Sequence, residues 1–210
     1  MKISYAITVC NELIEIQKLI PVLLQHKRKQ DEIVILYDQK NGNEEVVNYL
    51  RRFSKLPNVQ FWRGLDFNGH FADWKNILTG YCNGDYIFQI DADEIPNEKL
   101  LNNLPSIIEN NPENEVYLVP RVNTVEGLTK EHINKWGWNV NDKGWVNFPD
   151  YQWRVWKNLP EIKWKNKVHE VLDGFKTYSA LPSDKGLALY HPKTIDKQEK
   201  QNSYYESISN

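Results

Sequence analysis

Two rhythms of apolar residues alternate along the first 122 positions of the chain. Residues 2–9 are rich in Ile, Val and Tyr and alternate, which predicts a strand. Leu13, Ile16, Leu19, Ile20, Leu23 and Leu24 then recur at helical spacing, with Asn11 placed to cap the helix and Glu12 in its first turn. A continuous apolar run over 32–37 has the length and character of a buried parallel strand. It ends at Asp38, and the turn-prone Asn41-Gly42-Asn43 leads into a helix over 44–55. Further strands are predicted over 59–62, 86–90 and 116–122, and further helices over 72–81 and 98–110, the first of these closed by Asn83-Gly84. Strands alternating with helices predict a three-layer α/β/α sandwich with a mainly parallel central sheet.

After residue 123 the rhythm is lost. Residues 124–150 mix polar and aromatic positions without a period and read as an insertion over the substrate side. Strands are expected again over 151–156 and 163–171, as an antiparallel pair, and over 187–190, just before His191-Pro192. From 194 onward a Lys/Gln/Asn-rich stretch places Tyr204, Tyr205 and Ile208 on one face of a possible terminal helix.

The apolar fraction of 40% and charged fraction of 26% are those of an ordinary globular protein. A formal net charge of −2 gives no basic footprint for nucleic acid. Cys10 and Cys82 have no CxxC partner or metal-type spacing and are expected as reduced thiols. No charged-then-apolar leader and no run near the ~20 apolar residues of a transmembrane helix is present, so the chain is read as cytoplasmic. Six of the eight tryptophans fall between Trp136 and Trp164, more than a core of this size calls for. Indoles stack on the apolar faces of sugar rings and also anchor interfaces.

The chemistry concentrates at Asp91-Ala92-Asp93-Glu94, where an apolar strand gives way to three carboxylates before Pro96. Strand alternation would put Asp91 and Asp93 on one side, with Ala92 leaving room between them. Like charges this close call for a cation, ordinarily Mg²⁺ or Mn²⁺ held by one or two carboxylates together with substrate phosphates. The alternative is a solvated acidic turn. In parallel sheets ligands bind at the carboxyl ends of strands, and Cys10-Asn11-Glu12, Asp38-Gln39 and Asp91-x-Asp93 are three such ends. For Asp38 the competing role is that of a turn residue bonding its own backbone.

The order Phe71-Ala72-Asp73-Trp74-Lys75-Asn76, Gly84-Asp85-Tyr86-Ile87 and Asp91-Ala92-Asp93-Glu94 resembles the middle of family 2 glycosyltransferases of the GT-A fold. Residues 3–12 resemble that family's first strand and nucleotide loop. Pro149 to Trp156 and Trp164 to Glu170 are similar to a bacterial subgroup that builds lipopolysaccharide cores and related glycans.

The resemblance implies a single GT-A domain over 1–210. Residues 1–95 form its nucleotide-binding half, 96–195 an acceptor-side half with a smaller antiparallel element, and 196–210 a tail or helix. It implies a metal-dependent, inverting glycosyltransferase acting in glycan biosynthesis, with a nucleotide-sugar donor, UDP-linked by default, and a glycan or other hydroxyl acceptor. Thr8, Asn11, Glu12 and Asp38 would contact the base and ribose, and Lys75 the pyrophosphate. Asp91 would hold the ribose or the metal's surroundings, with Ala92 beside it. Asp93 would ligate Mn²⁺ or Mg²⁺, joined by a distant histidine, for which His191 is in place.

An inverting transfer needs a base for the acceptor hydroxyl. Glu170 is favoured and Asp150 competes, because the acidic pair many relatives carry before a helix is missing here. Gln152 and Arg154 lie on alternate positions of one strand and could bind acceptor or diphosphate. Trp138 and Trp164 would shape the acceptor side, and Glu94 would cap the turn after the motif or orient an acceptor hydroxyl. Two rival functions remain: a catalytically idle sugar- or nucleotide-binding module on the same fold, and a nucleotidyltransferase making activated sugars. The second would carry a Gly-rich basic loop after the first strand, which Cys10-Asn11-Glu12-Leu13 is not.

Overall fold

The computed structural model describes residues 1–65 and 67–209, with side chains through Ser207; the side chain of Ile208 therefore lies outside the described residues. In chain order the elements are β1 (Ile3–Val9), α1 (Leu13–His26), β2 (Glu32–Asp38), α2 (Glu44–Arg51), β3 (Val59–Gly64) and α3 (Phe71–Gly80). There follow β4 (Tyr86–Asp91), β5 (Ile95–Pro96), α4 (Glu98–Asn110), β6 (Val116–Val119), β7 (Arg121–Glu126) and α5 (Lys130–Trp136). The chain closes with β8 (Gln152–Lys157), β9 (Lys163–Lys165), β10 (Val171–Asp173), β11 (Tyr178–Ala180), β12 (Leu189–Thr194) and α6 (Ile195–Ser209).

Seven strands form the main sheet in the order β3-β2-β1-β4-β8-β6-β11. Only β8 runs against the rest, antiparallel to both β4 and β6. Alternation along the strands explains the layers. On one face Ile3, Tyr5, Ile7, Ile33, Ile35, Phe88 and Ile90 pack against the apolar stripes of α1, α2 and α4. On the other, Ala6, Val34, Leu36 and Ile87 meet Ala72, Trp74 and Leu78 of α3, along with Trp156 and Trp164. Because both faces are covered, β1 and β2 are apolar almost throughout, as parallel strands between helical layers must be. Register then sets Thr8 beside Asp91 and beside Leu36, so the ends of β1, β2 and β4 lie together at one edge.

The structure departs from the pattern in four places. The segment 116–122 is not one strand: Pro120, which cannot donate to a ladder, separates β6 in the main sheet from β7 in a second sheet. In that second sheet β12 lies between β5 and β7, parallel to β7, and pairs His191 with Asn123. Segments 151–156 and 163–171 do not pair with each other. β8 is drawn between β4 and β6, while β9 pairs antiparallel with β10, and the backbone of Trp164 is held by the side-chain amide of Asn76 in both directions. The helix expected over 44–55 stops at Arg51 and continues as turns. Asn11 does not cap α1, because Glu12 folds its carboxylate back onto the Cys10 and Asn11 amides at 2.8 and 3.1 Å and takes the N-cap position itself.

No helix among the described residues is long and apolar enough to cross a membrane.

Candidate functional site

Two cavities open at the carboxyl edge of the parallel strands. One, about 300 Å³, is lined by Thr8, Cys10, Glu12 and Asp38 from the ends of β1 and β2 and by an aromatic wall of Phe67, Phe71, Trp74 and Tyr204. Trp74 reaches this wall because Gly64 at the end of β3 leaves room; a Cβ there would sit 2.0 Å from the indole. The other, about 410 Å³, is lined by β7, β8, β12 and the tryptophan-rich stretch, including Arg121, Asn123, Trp138, Asp150, Gln152 and Trp164. Lys75, Asp91, Asp93, Glu170, Gln201 and Tyr205 border both cavities.

The two aspartates do not share a side by strand alternation. β4 ends at Asp91, and a turn closed by the Glu94 N–H on the Asp91 carbonyl (2.9 Å) carries Asp93 away. Glu94 is fully buried and caps this same turn, accepting from the Asp91 amide at 3.1 Å. Its other oxygen accepts from Arg154 at 2.6 Å and Arg121 at 2.9 Å. Arg154 also donates to Asp91 at 2.6 Å, and the Lys75 ammonium stands 3.4 Å from Asp91 on the opposite side. Burial disfavours ionisation of Asp91, yet Arg154 and then Lys75 hold it well below the usual carboxylate range. Arg154, 3% exposed, thus pairs with two carboxylates where it borders the larger cavity.

Asp93 has different neighbours. Its Oδ2 lies 3.3 Å from His191 Nε2 on β12. The tautomer of His191 follows from Asn123. The amide nitrogen of Asn123 donates to Asp150 at 2.6 Å, so its oxygen faces His191 Nδ1 at 2.8 Å, and Nδ1 must carry the proton. Burial drives the imidazole toward its neutral form more strongly than Asp93 draws it toward the charged one. With the Nδ1 proton fixed by Asn123, Nε2 is the ring nitrogen turned toward the Asp93 carboxylate. Burial would likewise raise Asp93, but the imidazole and two nearby lysines keep it well below the carboxylate range. An ionised carboxylate beside an imidazole nitrogen, the imidazole oriented from behind by an amide, could supply two ligands to a divalent cation. Among the described residues no third His, Cys, Asp or Glu completes a cluster, so phosphate oxygens and water would fill the remaining positions.

Glu170 sits at the junction of the cavities, 2.7 Å from Lys75 Nζ, and Lys75 in turn lies 4.8 Å over the ring of Trp164. Asp150, with φ of 32°, is held by four donors: Arg121 Nε at 2.9 Å and Nη2 at 2.8 Å, Asn123 at 2.6 Å and Gln152 at 3.0 Å.

Of the residues singled out from sequence, Thr8, Glu12, Asp38, Lys75, Asp91, Ala92 and Asp93 border the smaller cavity. His191, Glu170, Asp150, Gln152, Arg154, Trp138 and Trp164 border the larger one. Asn11 is the exception: it is exposed and borders neither. Asp38 carries its turn role as well, accepting from the Lys40 and Asn41 amides at 3.0 and 3.1 Å. Arg121, Asn123, Lys197 and Tyr205 were not foreseen. For the first two a signal exists, since Arg121, Asn123 and Val125 alternate on β7 and all three border the larger cavity.

Solved structures share this fold. The S. aureus TarS 1-349 structure in complex with UDP-GlcNAc superposes with a TM-score of 0.65 at 16% identity, over 92% of this chain and 59% of that one. The complex of the same protein with UDP gives 0.61 at 14% identity, over 91% and 60%. Full TarS gives 0.63 at 12% identity, over 96% of this chain and 38% of the other, so the present chain spans well under two thirds of these relatives. No curated protein sequence matches. The profile described as Glycosyl transferase family 2 matches residues 4–185, most of the chain, and the protein belongs to that family.

Proposed function

We propose that the protein transfers a sugar from a nucleotide-diphosphate donor, a UDP-sugar first of all, to a hydroxyl of a glycan or similar acceptor, with inversion at the anomeric carbon. The observation carrying this reading is the meeting of two cavities at Glu170, Lys75 and the Asp91–Asp93 turn. One cavity suits a nucleoside and the other an acceptor, and the transferred group would sit where they join. The UDP and UDP-GlcNAc bound by TarS, a neighbour by fold, support a uridine donor.

In this reading Thr8, Glu12 and Asp38 face the nucleoside, where a carboxylate accepts from ribose or base donors, and Phe71 and Trp74 flank it. Lys75 brings positive charge to the diphosphate. Asp93 and His191 would hold Mn²⁺ or Mg²⁺, whose contribution is Lewis-acid stabilisation of the departing diphosphate. Glu170 removes the proton from the attacking hydroxyl, its carboxylate oriented by the 2.7 Å contact with Lys75. Asp150, fixed by four donors, anchors acceptor hydroxyls, and Trp138 and Trp164 shape the pocket around the acceptor ring.

Calorimetry with UDP, with and without Mn²⁺, against GDP and nucleoside triphosphates, tests the reading together with an assay of UDP-GlcNAc turnover. Metal-dependent UDP binding with sugar release or transfer is expected. Preference for a triphosphate would move the protein to nucleotidyl transfer, and tight UDP–Mn²⁺ binding without turnover would make it a binding module.

A further inference from the structure

The oxygen of Asp93 that faces His191 has a second partner. Lys197, in the first turn of α6, places its ammonium 3.3 Å from Asp93 Oδ2 and 2.9 Å from Glu15 on α1. It borders the nucleoside-side cavity together with Asp93, and its side chain is about one-third exposed (36%). The proposed function puts a divalent cation on this same oxygen. An ammonium and a metal ion cannot both remain there, since like charges a few ångströms apart repel strongly in a partly desolvated site. The surroundings show where the lysine would go. Among the described residues, five carboxylates (Glu12, Asp38, Asp91, Asp93, Glu170) border this cavity against two ammonium groups, Lys75 and Lys197. A diphosphate entering such a site needs every cation within reach.

We propose that Lys197 is a tethered cation that exchanges partners. It neutralises Asp93 while the donor site is empty, and pairs with the donor's diphosphate once metal and nucleotide are bound. The inference rests on the reading of Asp93 and His191 as a metal–diphosphate site. Its consequence is that metal and nucleotide reinforce each other. A metal ion arriving alone strips Lys197 of its Asp93 partner, whereas one arriving with a diphosphate supplies a replacement. Such coupling is reciprocal, so each ligand tightens the other by the same factor.

The experiment titrates Mn²⁺ alone, followed by the paramagnetic signal of the free ion, and UDP in the presence of Mn²⁺ or of EDTA. The proteins compared are native, Lys197→Gln and Lys197→Arg. Lys197→Gln is expected to bind Mn²⁺ alone roughly two- to fivefold tighter, the scale of a partly exposed ion pair. It should bind UDP with Mn²⁺ about tenfold or more weaker, having lost a charge-assisted contact. Lys197→Arg keeps the charge and should behave as native. Unchanged Mn²⁺ affinity in Lys197→Gln overturns the exchange. So does an equal loss of UDP affinity with Mn²⁺ and with EDTA, which would make Lys197 a fixed phosphate contact. If native protein shows no Mn²⁺-dependent UDP binding, the site reading itself fails, a result distinct from either of these.

Discussion

The two walls of the cleft are made by different means. On the nucleoside side the functional groups stand at the ends of β1, β2 and β4, strands laddered to one another and sandwiched between helices, so core packing fixes their positions. On the tryptophan side there is almost no core. α5 buries no residue, and of the stretch 127–150 only Val146 is buried. Two isolated bridges, Asn123 with Val146 and Val140 with Val146, replace a ladder. Asn147, Asp150, Asn166 and His169 adopt left-handed backbone, and side-chain bonds hold the segment together. Under the proposed function, donor geometry would thus be built into the fold, while acceptor geometry would rest on a small polar framework that can change without unfolding the sheet.

Five substitutions and one chemical probe test this contrast, the largest effect first. Asp93→Ala is expected to abolish Mn²⁺-dependent UDP binding while circular dichroism and thermal unfolding stay near native, because the aspartate stands in a turn and not in the core. Undiminished UDP–Mn²⁺ affinity would remove Asp93 from the metal site. Glu170→Gln should lower turnover by about 10²- to 10⁴-fold with UDP affinity preserved, since an amide cannot take the acceptor's proton. Asp150→Asn is the control and should weaken acceptor binding more than turnover; the reverse pattern would make Asp150 the base.

Tryptophans sharpen the contrast further. Trp156, 1% exposed on β8 of the main sheet, should cost about 3–5 kcal/mol of stability when replaced by Ala. Trp138→Ala, on the half-buried far wall, should cost under about 1 kcal/mol yet raise the acceptor KM. Equal losses of stability would show that the far wall is as much core as the near one. The smallest effect concerns Cys10. Burial first, then the charges of Glu12 and Asp38, push its thiol up to about 12. Iodoacetamide at pH 8 should therefore leave it unmodified in the folded protein and label it readily after unfolding. Rapid labelling of the native protein would show that the strand-end wall is looser than its packing indicates.

The same division explains what the sequence disclosed. Runs such as Ile33 to Tyr37 and the stripe Ile16, Leu19, Ile20, Leu23 announce their elements because burial imposes a period, and these elements carry Thr8, Asp38 and Asp91 to one edge. Positions decided by partners distant in sequence were not legible in the same way. Arg154 reads as a free arginine until Asp91 and Glu94 are seen on it, and Asn11 reads as a cap until Glu12 turns back to take its amide. Lys197 lies 104 positions after Asp93 in a polar stretch, with no local pattern to connect the two.

Asn123 sets a boundary for anyone redesigning this protein's acceptor preference. One amide group serves both chemistries, its nitrogen on Asp150 and its oxygen on the imidazole of His191. Residues 130–145, none of them buried, are the place to diversify in a library. Asn123 belongs outside that library: Asn123→Asp would replace the donor to Asp150 with a second negative charge, and Asn123→Leu would free the histidine ring to turn. If Asp93 and His191 hold a metal as proposed, either replacement, chosen to alter the acceptor, would be read out first as a change in metal affinity.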